Sequence, residues 1–214
     1  SLFSIIFLLT FCLQFTHAQC SFFGDPSQED IDNFSIDYPG CTNLVGDLRI
    51  NGFEEEITSL AGLSQLTSVE GSIEILNANF LESLTGLENI THIGGQLRLE
   101  DNTQLDNFIG LNNLESVNSL FVDNNITLNN FIGLDSLKLI EDDFTVINNS
   151  ISNFQGLEQL DSIGRQLSVS GNNFLTSFNG LENLRIVNEH FGCSNNDALN
   201  DFEALENLER VHML

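Results

Sequence analysis

Few residues in this chain carry chemical potential. Among 31 acidic side chains, Glu100 and Asp123 fall at equivalent points of two neighbouring repeats. On adjacent parallel strands they would stand ~4.8 Å apart. That spacing suits a retaining glycosidase or a weak calcium site. With so many acids, neighbouring pairs also arise by accident, and a solvated surface is the simpler reading. Cys193 follows His190 by three residues. A thiolate beside an imidazole is a nucleophile, but that spacing puts the two on opposite faces of a strand. Cys193 therefore reads as a small buried hydrophobe. His92, His190 and His212 do not cluster, and no serine-hydrolase elbow, zinc-protease helix, phosphate loop or C-x-x-C occurs. The expectation is a protein without catalytic residues, metal or cofactor.

Binding residues are easier to nominate. The row Arg49, Glu74, Arg98, Phe121, Thr145, Ser168, Gly192 is predicted to face outward from successive strands. The next outward row runs Asn51, Leu76, Glu100, Asp123, Ile147, Ser170, Ser194. Alternating Arg49, Glu74 and Arg98 reads as a cross-strand charge ladder. Arg98, Phe121 and Ile147 are the candidate ligand-binding residues, with Phe121 as an aromatic anchor. Partners of opposite character are excluded. Six basic residues against 31 acidic ones leave a formal charge of −25, which disfavours nucleic acid and anionic lipid.

The elements that position these residues follow from a repeat. Gly-Leu recurs at Gly62-Leu63, Gly86-Leu87, Gly110-Leu111, Gly133-Leu134, Gly156-Leu157 and Gly180-Leu181, and Ala204-Leu205 continues it. Three residues before each Leu stand Leu60, Leu84, Phe108, Phe131, Phe154, Phe178 and Phe202; further apolar columns follow at fixed offsets. The steps are 23 or 24 residues, a period that means a solenoid. Alternating pairs, from Leu48/Ile50 to Phe191/Cys193, predict one short strand per coil with one face buried. Asn102, Asn125, Asn149, Asn172 and Asn196 predict a column of stacked amides at the turn. The Phe column predicts an internal aromatic stack. The fold class is thus a stack of about seven coils of 23–25 residues around one parallel sheet.

The pattern GLENITHIGGQLRLEDN and its repetitions, over about residues 41–214, resembles the receptor L-domain. That family is a leucine-rich, right-handed β-helix-like module, and the secreted multi-coil bacterial versions are the most similar. The resemblance implies a secreted or cell-surface, non-enzymatic binding scaffold that recognises an extracellular protein or glycan. A polysaccharide-active β-helix enzyme and a passive spacer for a further domain are the alternatives.

The N-terminal region fits that location. Residues 1–18 read as a secretory signal peptide, with an apolar run Leu2–Phe15 before Thr16-His17-Ala18. Once it is cleaved, no direct membrane insertion is expected. Residues 19–41 read as a cap, with one helix starting at Ser27, an apolar stripe Ile31, Phe34 and Tyr38, and a stop at Pro39-Gly40. Cys20 and Cys41 flank it and are the expected disulfide in an oxidising compartment. Residues 42–214 form the solenoid, and its pattern breaks off at Leu214 as though further coils follow.

Overall fold

The computed structural model describes residues 18–22, 24–53 and 55–211. The expected signal segment lies outside them except for Ala18, and so does His212. The strands are β1 (Ala18–Cys20), β2 (Cys41–Leu44), β3 (Leu48–Asn51), β4 (Ser68–Val69), β5 (Ile73–Leu76), β6 (His92–Glu100) and β7 (Ser116–Asp123). They continue with β8 (Leu139–Ile140), β9 (Phe144–Ile147), β10 (Ser162–Ile163), β11 (Gln166–Ser170), β12 (Ile186–Val187), β13 (His190–Ser194) and β14 (Arg210–Val211). Together they form one parallel sheet wound as a solenoid of about seven coils. One row runs β1-β2-β4-β6-β7-β8-β10-β12-β14. The other runs β3-β5-β6-β7-β9-β11-β13, and the longer β6 and β7 belong to both.

Burial follows the alternation. Leu48 and Ile50, Ile73 and Ile75, Leu97 and Leu99, Leu120 and Val122, and their later equivalents through Val169 are fully buried. Each such side chain contributes about 1.5–3 kcal/mol by leaving water. Phe108, Phe131, Phe154 and Phe178 stack with centroids 5.3–5.4 Å apart, and Phe202 continues the stack at 5.3 Å. Phe144 packs edge-on against Phe131 and Phe154. The high phenylalanine content therefore has a structural cause.

The corners are held by side-chain amides. Oδ1 of Asn125 accepts from the backbone N–H of Asn102 at 3.1 Å, and its Nδ2 donates to the Leu99 carbonyl at 3.0 Å. Asn149, Asn172 and Asn196 repeat both bonds one coil on. Each amide oxygen thus satisfies a turn N–H of the preceding coil, while its NH2 group braces a carbonyl at the end of a strand. The residue before each ladder position is left-handed: Asn77, Asp101, Asn124, Asn148, Gly171 and Asn195 all have φ between 53° and 70°. These are the residue types that tolerate that region.

A second corner explains the Gly-Leu signature. In Gly86, Gly110, Gly133, Gly156 and Gly180, φ lies between 104° and 117°. A Cβ there would also collide with backbone one coil earlier, at Leu60, Leu84, Phe108, Phe131 and Phe154. The glycine N–H is accepted by the side chain two residues on, as by Glu88, Asp135, Glu158 and Glu182. In the first and last coils this segment is instead a short 3-10 helix, Ala61–Leu63 and Glu203–Leu205, and alanine is tolerated at 204.

The cap departs from expectation in one respect. The single helix predicted from Ser27 is two, α1 (Gln28–Asp32) and α2 (Phe34–Asp37), broken at Asn33 with φ −90° and ψ 0°. Asparagine favours such turn conformations over helix interior. The start is as read: Ser27 forms a capping box with Asp30, whose carboxyl is held below its usual range by the Ser27 side-chain and backbone hydrogen bonds. Ile31 and Phe34 are buried, and Tyr38 packs on the core. Phe22 joins Phe34 and Tyr38 at 5.0 and 5.8 Å. Gln28 ties α1 to the first coil by donating to the Ser59 carbonyl and accepting from Thr58 N–H. Cys20 and Cys41 are joined as a disulfide, Cα to Cα 5.9 Å.

Candidate functional site

The outward residues of β3, β5, β6, β7, β9, β11 and β13 make one continuous face. Arg49, Glu74, Arg98, Phe121, Thr145, Ser168 and Gly192 stand in direct register across it. Asn51, Leu76, Glu100, Asp123, Ile147, Ser170 and Ser194 form the adjoining row. Parity along each strand decides this, since a residue next to an inward Leu or Val must point out.

Arg98 and Phe121 are brought together. The Arg98 guanidinium carbon lies 5.1 Å from the Phe121 ring centroid, a cation–π contact worth about 0.5–1 kcal/mol when exposed. Nε of Arg98 donates to Glu100 at 2.8 Å, and Nη2 pairs with the same carboxylate. Ile147 sits beside Asp123 on the next row, one strand beyond Phe121. Phe121, Ile147 and Leu76 are half-buried rather than fully exposed.

The expected charge ladder forms only in part. Arg49 reaches Glu74 at 3.5 Å and Asp25 of the cap at 3.7 Å. Arg98 turns to Glu100 on its own strand instead of to Glu74. Glu100 and Asp123 are register partners. Burial first, then the Glu100 and Asp101 charges, push the Asp123 carboxyl up; a 3.3 Å hydrogen bond from Asn148 opposes this.

The other candidates separate as the spacing implied. Cys193, read as buried, is only half-buried against the core in the last full strand, and that burial raises its thiol above the usual range, which makes it a poor nucleophile. His190 is exposed, with its ring lying over Gly192 on the outer face. No group of three or more His, Cys, Asp or Glu arranged to hold a metal occurs among the described residues. Nor is any helix among them long and apolar enough to cross a membrane.

A second charge ladder was not foreseen. One residue after the inward column Leu114, Leu137, Leu160, Leu184, Leu208 run Glu115, Lys138, Asp161, Arg185 and Glu209. Lys138 meets Glu115 at 3.3 Å and Arg185 meets Asp161 at 2.6 Å. Arg165 bridges Asp142, Asp143 and Glu189, each at 3.3 Å, and Asp143 foremost raises its already high pKa. The alternation in that column was readable from the aligned repeat. Five of the six basic side chains are thereby held in ion pairs, so no cationic patch gathers on the described surface.

Comparison with known proteins found no matching family model, no matching curated protein and no matching solved structure.

Proposed function

We propose that the chain is a non-enzymatic binding scaffold, secreted or displayed at the cell surface, that recognises a protein or glycan through its sheet face. The observation that carries this reading is Arg98 stacked over Phe121 at the centre of a continuous face of seven parallel strands. Solenoids bind through such extended surfaces. An aromatic with an arginine beside it is the composition of an interface anchor. A carboxylate on the partner can replace Glu100 on the Arg98 fork. The disulfide is compatible with an oxidising, extracellular location. The repeat pattern's resemblance to the receptor L-domain supports the same reading.

The test is a pull-down from extracellular material, together with a glycan array, using the wild type and Phe121→Ser. Loss of the captured ligand in a variant with an unchanged circular dichroism spectrum supports the sheet face. Retention of full affinity would place recognition elsewhere. The raised Asp123 carboxyl beside Glu100 favours a second reading, a polysaccharide-active enzyme. That reading requires glycan turnover that is abolished in Asp123→Asn.

A further inference from the structure

We propose that a notch on the fifth coil, away from the sheet face, is a binding site for a neutral saccharide. In coils three, four, six and seven, three residue steps separate the ladder asparagine from the next inward side chain: Asn102 to Leu105, Asn125 to Leu128, Asn172 to Leu175 and Asn196 to Leu199. In the fifth coil Asn149 is followed two steps later by Ile151. That corner is one residue short while its neighbours keep full length, so the surface is indented there. A shallow, wide-open depression of about 530 Å³ occupies the place, lined by Thr127, Asn129, Ser150, Ser152 and Phe174.

The lining points to the ligand class. It includes no charged side chain, in a protein with 31 acids. Three other depressions on the described surface each include aspartate or glutamate. An ionic ligand would find no counter-charge in the notch, so a neutral polar one is favoured. Phe174 forms one wall and is 64% exposed, an apolar ring face of the kind on which the C–H face of a pyranose packs. The side chains of Asn129 and Ser152 make no hydrogen bond within the chain among the described residues. They offer amide donors, an amide acceptor and a hydroxyl. Ser150 and Thr127 donate their hydroxyl protons to the carbonyls of Ile126 and Leu105, at 2.7 and 2.9 Å, which leaves their lone pairs to accept from sugar hydroxyls. One apolar wall with a few convergent polar groups is the usual composition of a small-ligand site.

The fold supplies its own control. Phe80 occupies the same column as Phe174 and is 52% exposed, beside a corner of full length. The experiment is a ¹⁵N-resolved titration of the protein with cellopentaose, maltopentaose and mannopentaose. Saturable shifts confined to residues 127–129, 150–152 and 174 are expected for at least one sugar, with Phe174→Ala, or one glycine inserted between Asn149 and Ser150, weakening binding by about tenfold or more and Phe80→Ala leaving it unchanged. The proposal is overturned by no saturable shift up to about 10 mM of any of the three sugars, or by binding that survives Phe174→Ala. It is also overturned if shifts centre on Phe121, an outcome that would support the sheet face instead.

Discussion

The asparagine corner and the sheet face are built by the same coils at the same spacing, yet they differ in how far each coil repeats the last. At the corner, Asn102, Asn125, Asn149, Asn172 and Asn196 perform one task with the same pair of bonds. Across the sheet face, charged Arg49, Glu74 and Arg98 give way at Phe121 to small Thr145, Ser168 and Gly192. From the third coil to the seventh the same turn backbone must be satisfied and asparagine does it each time, so the corner is uniform there, with Ala78 holding the position in the second coil. Outward positions carry no such constraint and are free to differ. Uniform columns therefore report the fold, while the places where a column changes or shortens are where recognition is to be sought.

That contrast is broken most directly from the inside. Phe154 stacks between Phe131 and Phe178 and is fully buried; Phe154→Ala should lower the unfolding free energy by about 3–5 kcal/mol, read from urea denaturation. A loss under ~1 kcal/mol would mean that the column is not the core.

Asn125→Ala is the next largest. It strands the buried Asn102 N–H and removes a brace from the Leu99 carbonyl, an expected cost of about 1–3 kcal/mol. Hydrogen exchange should show the loss of protection centred on the corners of the third and fourth coils. Protection lost evenly over all coils would argue against a local ladder.

On the outer face Arg98→Ala should change stability by less than about 1 kcal/mol, because the guanidinium is partly exposed and its ion pair is screened. A fall in melting temperature comparable with that of Asn125→Ala would erase the distinction between corner and face.

The smallest effect is pH-dependent. Burial, with Glu100 and Asp101, raises the folded-state pKa of Asp123 above its unfolded value. The native state then holds this proton more tightly than the unfolded one. The stability so gained is present below the unfolded pKa of about 3.9 and is lost as pH rises through the folded value. Asp123→Asn should therefore be more stable than wild type at pH 7 relative to any difference at pH 3, by no more than ~0.5 kcal/mol because solvent screens this partly exposed carboxyl. Paired urea midpoints at the two pH values measure this, and a variant that loses ground on going from pH 3 to pH 7 would reverse the assignment.

Legibility differed between the parts. The inward columns, the outward rows and the position of Arg98, Phe121 and Ile147 on one face could be read from the aligned repeat, because parity along a strand fixes direction. The pairing of Arg98 could not. Glu74 and Glu100 are both within reach of a flexible guanidinium, and such choices differ by fractions of a kcal/mol. The strand β1 was equally hidden: Ala-Gln-Cys carries no alternation, and it pairs with β2 beside the Cys20–Cys41 disulfide.

By itself the sequence determined the coil length, the core columns, the phenylalanine stack and the asparagine ladder. Each depends on contacts between residues about 24 apart in a nearly one-dimensional stack, so aligning the chain with itself amounts to building the contact map. Only the tertiary structure decided the break of the cap helix at Asn33, the packing of Phe22 on Phe34 and Tyr38, the turn of Arg98 toward Glu100 and Phe121, and which side chains line the depression at the fifth corner, whose missing residue is legible in the spacing. These arise where a side chain has several neighbours to choose from, or where one coil departs from the rest. The outcome there is set by local packing in three dimensions rather than by the period.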